Sequence, residues 1–340
     1  MPIGTDFMSI YSQDTERYSA DSFIKRFDEV NFMNDNLKLL VDEAEKTGCK
    51  VELKPFLKDY TTFRIGGEAA ALFELDSVQK CQRLIPFAAK NNIPYFILGK
   101  GSNILADDRG TNAVIFRING SEPELIGENT IRCFAGVPLV KLCGFALENE
   151  LGGLEFAYGI PGSVGGAVYM NAGAYGGEMK DVISSVTALD RDGTVREYSA
   201  EGLELSYRHS RFTRSGEVIL SADIKLAKGD KDSIKSRMNE LMEKRRSKQP
   251  LEFPSAGSTF KRPQGAFAAQ LIEECGLKGL SVGNAQVSEK HSGFVINRGG
   301  AGFDDVMAVI ARVKQTVEEK TGYKLECEPI IISDREEYRK

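Results

Sequence analysis

Apolar side chains first recur at helical spacing early in the chain. Leu37, Leu40 and Val41 lie on one face of a helix that the pattern predicts for residues 35–47. Before this helix, residues 1–32 mix polar and charged side chains with little periodicity. That composition predicts a mobile N-terminal extension.

Strand and helix patterns then alternate. Apolar runs at residues 69–75 and 94–98 predict buried strands, and the amphipathic run at 78–90 predicts a helix between them. This strand–helix–strand order is typical of units that bind phosphates at a glycine turn following a strand. Further strands are predicted at residues 50–53, 113–118, 130–134, 183–189, 194–198 and 218–226, and a further helix at 139–149.

The composition turns polar near residues 227–232, and we place a domain boundary there. Beyond it the pattern predicts several helices, including a strong one at 304–320, and a last strand at 324–332. The predicted fold is therefore of the α+β class. Its predicted parts are two subdomains of one domain, 33–98 and 99–228, and a C-terminal α+β domain, 229–334.

Composition favours a globular protein that acts on a small molecule. Of 340 residues, 41% are hydrophobic and 27% are charged, and no apolar run approaches the ~20 residues of a membrane helix. The net charge of −5 gives no general attraction for nucleic acid. Residues 1–21 lack the basic start and apolar stretch of a secretory signal. We therefore expect a cytoplasmic monomer without a membrane span.

The cysteines and histidines argue against a metal centre. The six cysteines form no CxxC pair, and the only histidines are His209 and His291. We interpret the cysteines as buried free thiols. No metal site is predicted.

Glycine is concentrated in one stretch, because 16 of the 34 glycines lie between Gly99 and Gly177. The dinucleotide signature GxGxxG is not completed after Gly99, and no GxxxxGK[ST] phosphate loop occurs. Successive backbone N–H groups in glycine turns can bind anions, although each turn alone could be an ordinary tight turn. The segments concerned are TTFRIGG (61–67), LGKGSNIL (98–105), GIPGSVGGA (159–167) and NAGAYG (171–176).

A second group of motifs offers a guanidinium, a hydroxyl and a carboxylate from three distant places. These motifs are YRHS (207–210), AGSTFKRP (256–263) and LECEP (325–329). Such groups could stabilise and protonate a negatively charged intermediate. Taken singly, Arg208 could form a surface ion pair and Ser258 could be a loop or cap residue.

The glycine segments resemble the FAD-binding domain of the vanillyl-alcohol-oxidase type. With TTFRIGG, GKGSN and GIPGSVGGAVYMNAGAYG, the chain resembles the UDP-N-acetylenolpyruvoylglucosamine reductase family from about residue 54 to residue 332. Only 50 positions separate Arg208 from Ser258, which is similar to the subclass without an inserted tyrosine-bearing substrate loop. The resemblance implies a C-terminal substrate-binding domain. It also implies that NADPH, through non-covalent FAD, reduces UDP-N-acetylglucosamine enolpyruvate to UDP-N-acetylmuramate for peptidoglycan synthesis.

The resemblance also implies roles for individual residues. Arg208 would stabilise an enolate, Ser258 would donate a proton, and Glu328 would polarise the same region. Pro329 departs from the small aliphatic residue usual in the family, so Glu326 stays an alternative to Glu328. Substrate contacts are expected from Tyr207, Asn171, Arg245 and Lys261, and cofactor contacts from Arg64, Gly99, Lys100, Gly101, Ser102, Asn103, Gly159, Pro161, Gly162, Ser163, Gly165, Gly166 and Ala167.

Two other functions stay open. An oxidase of alcohols or aldonolactones on the same fold would have no use for Ser258. Such families often attach FAD through His or Cys, and neither residue occurs in segments 99–103 or 159–177. A non-catalytic flavin or nucleotide-sugar binding protein would have no reason to combine the three catalytic groups. The basic run at 244–246 could likewise be a solvated helix end.

Overall fold

The computed structural model describes residues 35–120 and 122–338, and the extension predicted for residues 1–32 lies outside them. Within these ranges no helix is long and apolar enough to cross a membrane. The helices are α1 (Asp35–Lys46), α2 (Val78–Lys90), α3 (Leu139–Glu148), α4 (Val164–Tyr169), α5 (Phe212–Ser215), α6 (Lys231–Lys248), α7 (Ala268–Glu274) and α8 (Phe303–Thr321). The strands are β1 (Lys50–Leu53), β2 (Ala69–Leu75), β3 (Tyr95–Leu98), β4 (Ile104–Ala106), β5 (Thr111–Ile118), β6 (Glu124–Leu125), β7 (Thr130–Phe134), β8 (Leu151–Gly152), β9 (Gly173–Ala174), β10 (Gly177–Glu178), β11 (Ile183–Leu189), β12 (Val195–Ser199), β13 (Val218–Lys225), β14 (Ala227–Lys228), β15 (Ser281–Val282), β16 (Ala285–Val287), β17 (Val295–Asn297) and β18 (Ile330–Ile332).

The first sheet combines parallel and antiparallel strands in the order β1-β2-β5-β3. Strands β2 and β3 both run parallel to β5, whereas β1 pairs antiparallel with β2. Phe73 and Phe116 are fully buried in the core that this sheet shares with α1 and α2. Strand β5 lies beyond the boundary predicted after residue 98. Because it lies between β2 and β3, we place the end of the first unit after Ile118 instead.

The second sheet is antiparallel throughout, in the order β12-β11-β13-β7-β6. Helix α4 packs against its central strand, β13. The buried side chains of this sheet continue the core of the first sheet, so the two units share one hydrophobic core. The antiparallel strands predicted between residues 183 and 226 are confirmed.

The C-terminal unit packs α7 and α8 with the small sheet β15-β16-β17. Helix α8 is amphipathic, and Val306, Val309 and Val313 on its inner face are fully buried. Phe63 and Ile65, which precede β2, belong to the same hydrophobic cluster. The C-terminal unit is therefore anchored to the segment that leads into the first sheet.

The last predicted strand, residues 324–332, is not continuous. Cys327 forms an isolated bridge to Phe260 in the C-terminal unit, and only Ile330–Ile332 form β18, which pairs parallel with β4. Pro329 lies between the two pairings. Proline has no N–H to donate to a strand ladder, so the chain can change partners there. The end of the chain thereby returns to the first unit.

Candidate active site

A cleft with a volume of about 960 Å³ lies where the three units meet. Its walls include the turn at residues 99–103, the segment at 161–167 and the stretch at 249–258. The cleft is lined by six basic side chains but only three acidic ones, although the whole chain carries a net charge of −5. This local charge favours a polyanionic ligand. The basic residues are Arg64, Lys100, Arg191, Arg208, Arg214 and Arg245, and the acidic ones are Glu217, Glu252 and Glu328.

The turn at residues 99–103 has no room for side chains at its glycines. Gly101 has a φ of +63°, and a Cβ there would lie 2.0 Å from the Tyr60 carbonyl oxygen. A Cβ on Gly99 would lie 2.3 Å from Oγ of Ser163, in the neighbouring segment. Only glycine allows the two segments to approach this closely.

The segment at residues 161–167 leads into α4. The buried Ser163 side chain caps this helix and accepts a hydrogen bond from the Gly166 N–H at 3.4 Å. A Cβ on Gly165 would lie 2.8 Å from Cβ of Ala135, which explains the glycine at that position. The close packing of α4 brings the whole segment against the second sheet at the edge of the cleft.

The backbones of both segments offer hydrogen-bond donors to a ligand. Within the described ranges, none of the N–H groups of residues 100–103 donates to the protein, and neither do those of Gly162 and Ser163. Buried backbone N–H groups rarely stay unpaired, and Gly101 and Ser163 are buried residues. Successive free N–H groups beside basic side chains form a site for phosphate oxygens. These donors fit the diphosphate of FAD.

Arg208 is held in the cleft by a tight turn. Ser206 and His209 exchange backbone hydrogen bonds of 3.1 Å across this turn, and Arg208 has a φ of +54°. A positive φ is costly for a residue with a Cβ, and such residues are concentrated at functional sites. The Arg208 Nε donates to Oε1 of Glu328 at 2.5 Å. The turn therefore aims the guanidinium at the predicted catalytic carboxylate.

Glu328 lies near Ser258 because two extended segments pair. The Glu328 N–H donates to the Thr259 carbonyl at 2.9 Å, and the Lys261 N–H donates to the Glu326 carbonyl at 2.9 Å. The Glu328 side chain is 9% exposed and lines the cleft. The Glu326 side chain is 74% exposed and pairs with Lys261 at the surface. These positions favour Glu328 over Glu326 for a role in the cleft.

The carboxyl group of Glu328 is in an environment unlike that of a surface glutamate. Burial raises its pKa, and the neighbouring charge of Arg208 only partly offsets that effect. Its Oε2 is buried and has no hydrogen-bond partner among the described residues. Because an unpaired buried oxygen is costly, a proton or a ligand donor at this position would be stabilised. Ser258 also lines the cleft, and its hydroxyl makes no hydrogen bond with any residue that the structure describes.

Arg245, near the end of α6, is the predicted substrate-binding residue that lines the cleft. It makes no ion pair with any described residue. Burial lowers the pKa of its guanidinium from the usual arginine value. A half-buried cation without a carboxylate partner favours the binding of an anion.

Asn171 does not line the cleft, contrary to the prediction. It is 1% exposed. Its Nδ2 donates to Oε2 of Glu178 at 2.7 Å and to the Ser206 carbonyl at 3.1 Å. Its Oδ1 accepts a hydrogen bond from the Lys180 N–H. Because its side-chain amide bonds groups of the protein itself, Asn171 supports the turn that carries Arg208.

Three more predicted residues lie outside the cleft lining: Gly159, Tyr207 and Lys261. The Gly159 backbone packs against the Arg245 side chain. Tyr207 is exposed, and its hydroxyl accepts a hydrogen bond from the Arg262 N–H at 2.9 Å. The Lys261 ammonium lies 3.2 Å from Glu326 at the surface. The other predicted catalytic and cofactor residues all line the cleft.

The cleft also contains residues that the sequence analysis did not single out. Arg191, in the connection between β11 and β12, and Arg214, in α5, line it together with Tyr95 on β3. Arg191 lies against Gly216. These residues reach the cleft because the first and second sheets pack together. No local motif marks them, since exposed basic residues in surface connections are common.

Comparisons with known proteins agree with this arrangement. Residues 249–332 match the sequence profile of the UDP-N-acetylenolpyruvoylglucosamine reductase C-terminal domain, and residues 69–199 match that of an FAD binding domain. The UDP-N-acetylenolpyruvoylglucosamine reductase of Clostridium novyi (strain NT) is 47% identical over 305 residues, which cover 90% of this chain and 98% of that protein. The chain belongs to the UDP-N-acetylenolpyruvoylglucosamine reductase family. The reductase of Clostridium tetani (strain Massachusetts / E88) is 48% identical over 303 residues, which cover 89% of this chain and 99% of that protein.

A solved structure of this reductase family has the same fold. The Thermus caldophilus enzyme matches with a TM-score of 0.72 and 36% identity, over 84% of this chain and 99% of that chain. With the matched FAD binding domain, this similarity confirms the predicted α+β fold, in which an FAD-binding domain precedes a C-terminal domain. The family's cofactor also agrees with the free N–H donors and basic side chains of the cleft.

We expect Gly101→Ala to weaken FAD binding by about tenfold or more, because its methyl group would push the turn away from Tyr60. Gly48→Ala is the matched control, since Gly48 has a similar φ of +65° but open space around it, and it lies just after α1. Fluorescence titration of each apoprotein with FAD gives the affinities. Equal affinities in the two variants would contradict a role for this turn.

Proposed function

We propose that this protein catalyses the NADPH-dependent reduction of UDP-N-acetylglucosamine enolpyruvate to UDP-N-acetylmuramate, a step of peptidoglycan precursor synthesis. One observation carries the proposal: Arg208, Ser258 and Glu328, from three distant parts of the chain, line one cleft with the predicted cofactor turns. The family to which the chain belongs is named for this reaction.

The proposed FAD site is formed by backbone donors and basic side chains. Residues 99–103 and 161–167 would hold the diphosphate, with Arg64 and Lys100 in the same lining. When bound, FAD supplies the redox chemistry by taking a hydride equivalent from NADPH and giving one to the substrate. Product formation also consumes one proton, which the protein has to deliver to the α carbon of the enolpyruvyl group.

Arg208 is proposed to stabilise negative charge during this reduction. Hydride addition to the carbon β to the carboxylate leaves that charge on an enolate. A guanidinium is permanently charged, and one fixed by a turn is already oriented before the charge develops. Its hydrogen bond to Glu328 supports this orientation.

Ser258 is proposed to deliver the proton. An alcohol is a weak acid, so it needs close positioning and a polarising neighbour. Glu328 is proposed as that neighbour, because a backbone hydrogen bond from its N–H to the carbonyl of Thr259 brings its segment alongside the one that carries Ser258, and both residues line the cleft. Burial raises the pKa of Glu328, so this carboxyl group holds a proton more readily than an exposed glutamate does.

Arg245 is proposed to bind the diphosphate of the nucleotide sugar, since it is a cleft-lining cation without an ion-pair partner in the described ranges. We also propose that the protein acts as a monomer. NADPH and nucleotide sugars are cytoplasmic metabolites, and we therefore propose that the protein acts in the cytoplasm.

Anaerobic absorbance spectroscopy of the FAD-loaded protein tests the proposed function. NADPH should bleach the flavin band, and UDP-N-acetylglucosamine enolpyruvate should then restore it. Bleaching without recovery would show that the protein is a flavoprotein reduced by NADPH, but would reject the proposed substrate. Rapid recovery in air, without the substrate, would favour an oxidase. Failure to bind FAD would reject the function altogether.

We expect Ser258→Ala to slow reoxidation of the flavin by the substrate about 10²–10⁴-fold, because a positioned general acid contributes that much to a rate. Flavin reduction by NADPH should stay unchanged, since that step needs no proton from Ser258. Stopped-flow absorbance separates the two steps. Ser247→Ala, at an exposed position in α6, is the control and should match the unaltered protein. Similar reoxidation rates in the two variants would remove Ser258 from the mechanism.

The buried carboxyl group of Glu328 should also make stability depend on pH. Because folding raises its pKa above the ordinary 4.5, its stabilising effect is fully present below that value and is lost as the pH rises through the folded pKa. Glu328→Gln does not titrate, so we expect this variant to gain stability relative to the unaltered protein as the pH rises through this window. Urea unfolding at a series of pH values measures the difference. A constant difference, or one of opposite slope, would contradict the raised pKa.

A further inference from the structure

The residues that follow Glu328 form a connection that the proposed chemistry does not use. Five side chains join the end of the chain to the first unit and to α8, and we call them the C-terminal latch. They are Asp107, Asp304, Ser333, Asp334 and Arg335.

Arg335 is the centre of the latch. Its Nε lies 2.6 Å from Oδ2 of Asp107, and its Nη2 donates to Oδ1 of the same carboxylate at 3.0 Å. Its Nη1 donates to Asp304, in the first turn of α8, at 2.5 Å. The Asp107 side chain is 1% exposed and also accepts a hydrogen bond from the Ser333 hydroxyl at 2.7 Å. The Nε contact is an ion pair without a hydrogen bond, so one hydrogen bond and this ion pair together hold the guanidinium against the buried carboxylate.

Asp334 makes a second connection to the first unit. Its Oδ1 accepts from the Thr111 hydroxyl at 2.8 Å, and its Oδ2 accepts from the Asn112 N–H at 2.8 Å. Both partners lie at the start of β5, an interior strand of the first sheet. The end of the chain is therefore tied to a rigid part of the molecule.

The other end of the same segment is held by the cofactor turn. The Ile330 N–H donates to the Asn103 carbonyl at 2.9 Å, and the Asn103 side chain donates to the Glu328 carbonyl at 3.4 Å. Between these contacts and the latch, β18 pairs parallel with β4 over three residues. Glu328 thus lies two residues before a strand that is held at both ends.

The pairing of β18 with β4 is too short to determine its own register. An isolated two-stranded pair is marginally stable in water. A slip by one residue would move the segment by about 3.3 Å and exchange its two faces. The hydrogen bond from Arg208 to Glu328 is 2.5 Å long, and a displacement of about 1 Å at a reacting group is enough to slow a reaction strongly.

We propose that the C-terminal latch, with Arg335 at its centre, fixes the register of β18 on β4 and thereby positions Glu328 against Arg208. Arg335 does not line the cleft, so it is a positioning residue. The inference rests on the proposed function. Its effect should be confined to the step that uses Glu328, which is reduction of the enolpyruvyl substrate, and should spare reduction of the flavin by NADPH.

The test compares Arg335→Ala with Arg132→Ala in the FAD-loaded protein. Arg132 also pairs with an aspartate, donating two hydrogen bonds to Asp223 in the second sheet at 2.8 and 2.7 Å, away from the cleft lining. Stopped-flow absorbance measures flavin reduction by NADPH and reoxidation by UDP-N-acetylglucosamine enolpyruvate separately. We expect Arg335→Ala to slow reoxidation about tenfold or more with reduction unchanged. Arg132→Ala should leave both rates unchanged.

Hydrogen–deuterium exchange of the same proteins gives a readout independent of activity. The amides of residues 330–335 should exchange faster in Arg335→Ala than in the unaltered protein, because the strand opens more often without the latch. Arg132→Ala should leave this segment unchanged. Equal reoxidation rates in the two variants, or unchanged exchange at residues 330–335 in Arg335→Ala, would overturn the proposal.

A milder variant keeps the test decisive if Arg335→Ala does not fold. Asp334→Ala removes only the bonds to Thr111 and Asn112, and it should slow reoxidation selectively but to a smaller degree. Rates equal to those of Arg132→Ala would again overturn the proposal. If the unaltered protein is not reoxidised by the substrate, the proposed function fails. The exchange measurement would still decide whether the latch holds β18.

Discussion

The ion pair between Arg208 and Glu328 is the contact on which the cleft depends. It joins residues 120 positions apart, and its carboxylate side chain is 9% exposed. Buried ion pairs recover the cost of desolvation only when their remaining atoms also find partners, and Oε2 of Glu328 has none among the described residues. The pair is therefore a poor means of stabilising the fold. It is a good means of holding polar groups in place for a ligand.

Several features that look unrelated in the sequence support this pair. Arg208 has a positive φ, and the buried amide of Asn171 holds a carbonyl of its turn. On the other side, Thr259 and Asn103 hold the backbone of Glu328. Because Asn103 also belongs to the turn proposed to bind the cofactor, the proposed cofactor site and the proposed catalytic groups share one hydrogen-bonded framework. A displacement of the backbone at Asn103 would therefore also displace Glu328.

Local elements and glycine turns could be predicted because they depend on neighbours in the sequence. Strand β2 and helix α2 have the predicted ends, and Ser77 caps α2. Non-local pairings could not be predicted in this way. The change of partner at Pro329 depends on β4, more than 200 positions earlier. Asn171 shows the same limit within the site, since a contact with Ser206, 35 positions away, decides whether its amide faces a ligand or the protein.

The two arginines of the cleft to which we assign roles, Arg208 and Arg245, differ in whether a carboxylate neutralises their charge. Arg208 is compensated by Glu328, whereas Arg245 makes no ion pair within the described ranges. An approaching polyanion therefore meets uncompensated positive charge at Arg245 and free N–H groups at the glycine turns. In the proposed mechanism, the Arg208 guanidinium gains a further partner only when negative charge develops on the reacting group. Interactions that strengthen in this way accelerate a reaction, whereas those that are equally strong beforehand only improve binding. An acidic protein can thus bind anionic ligands without weakening the groups that act on them.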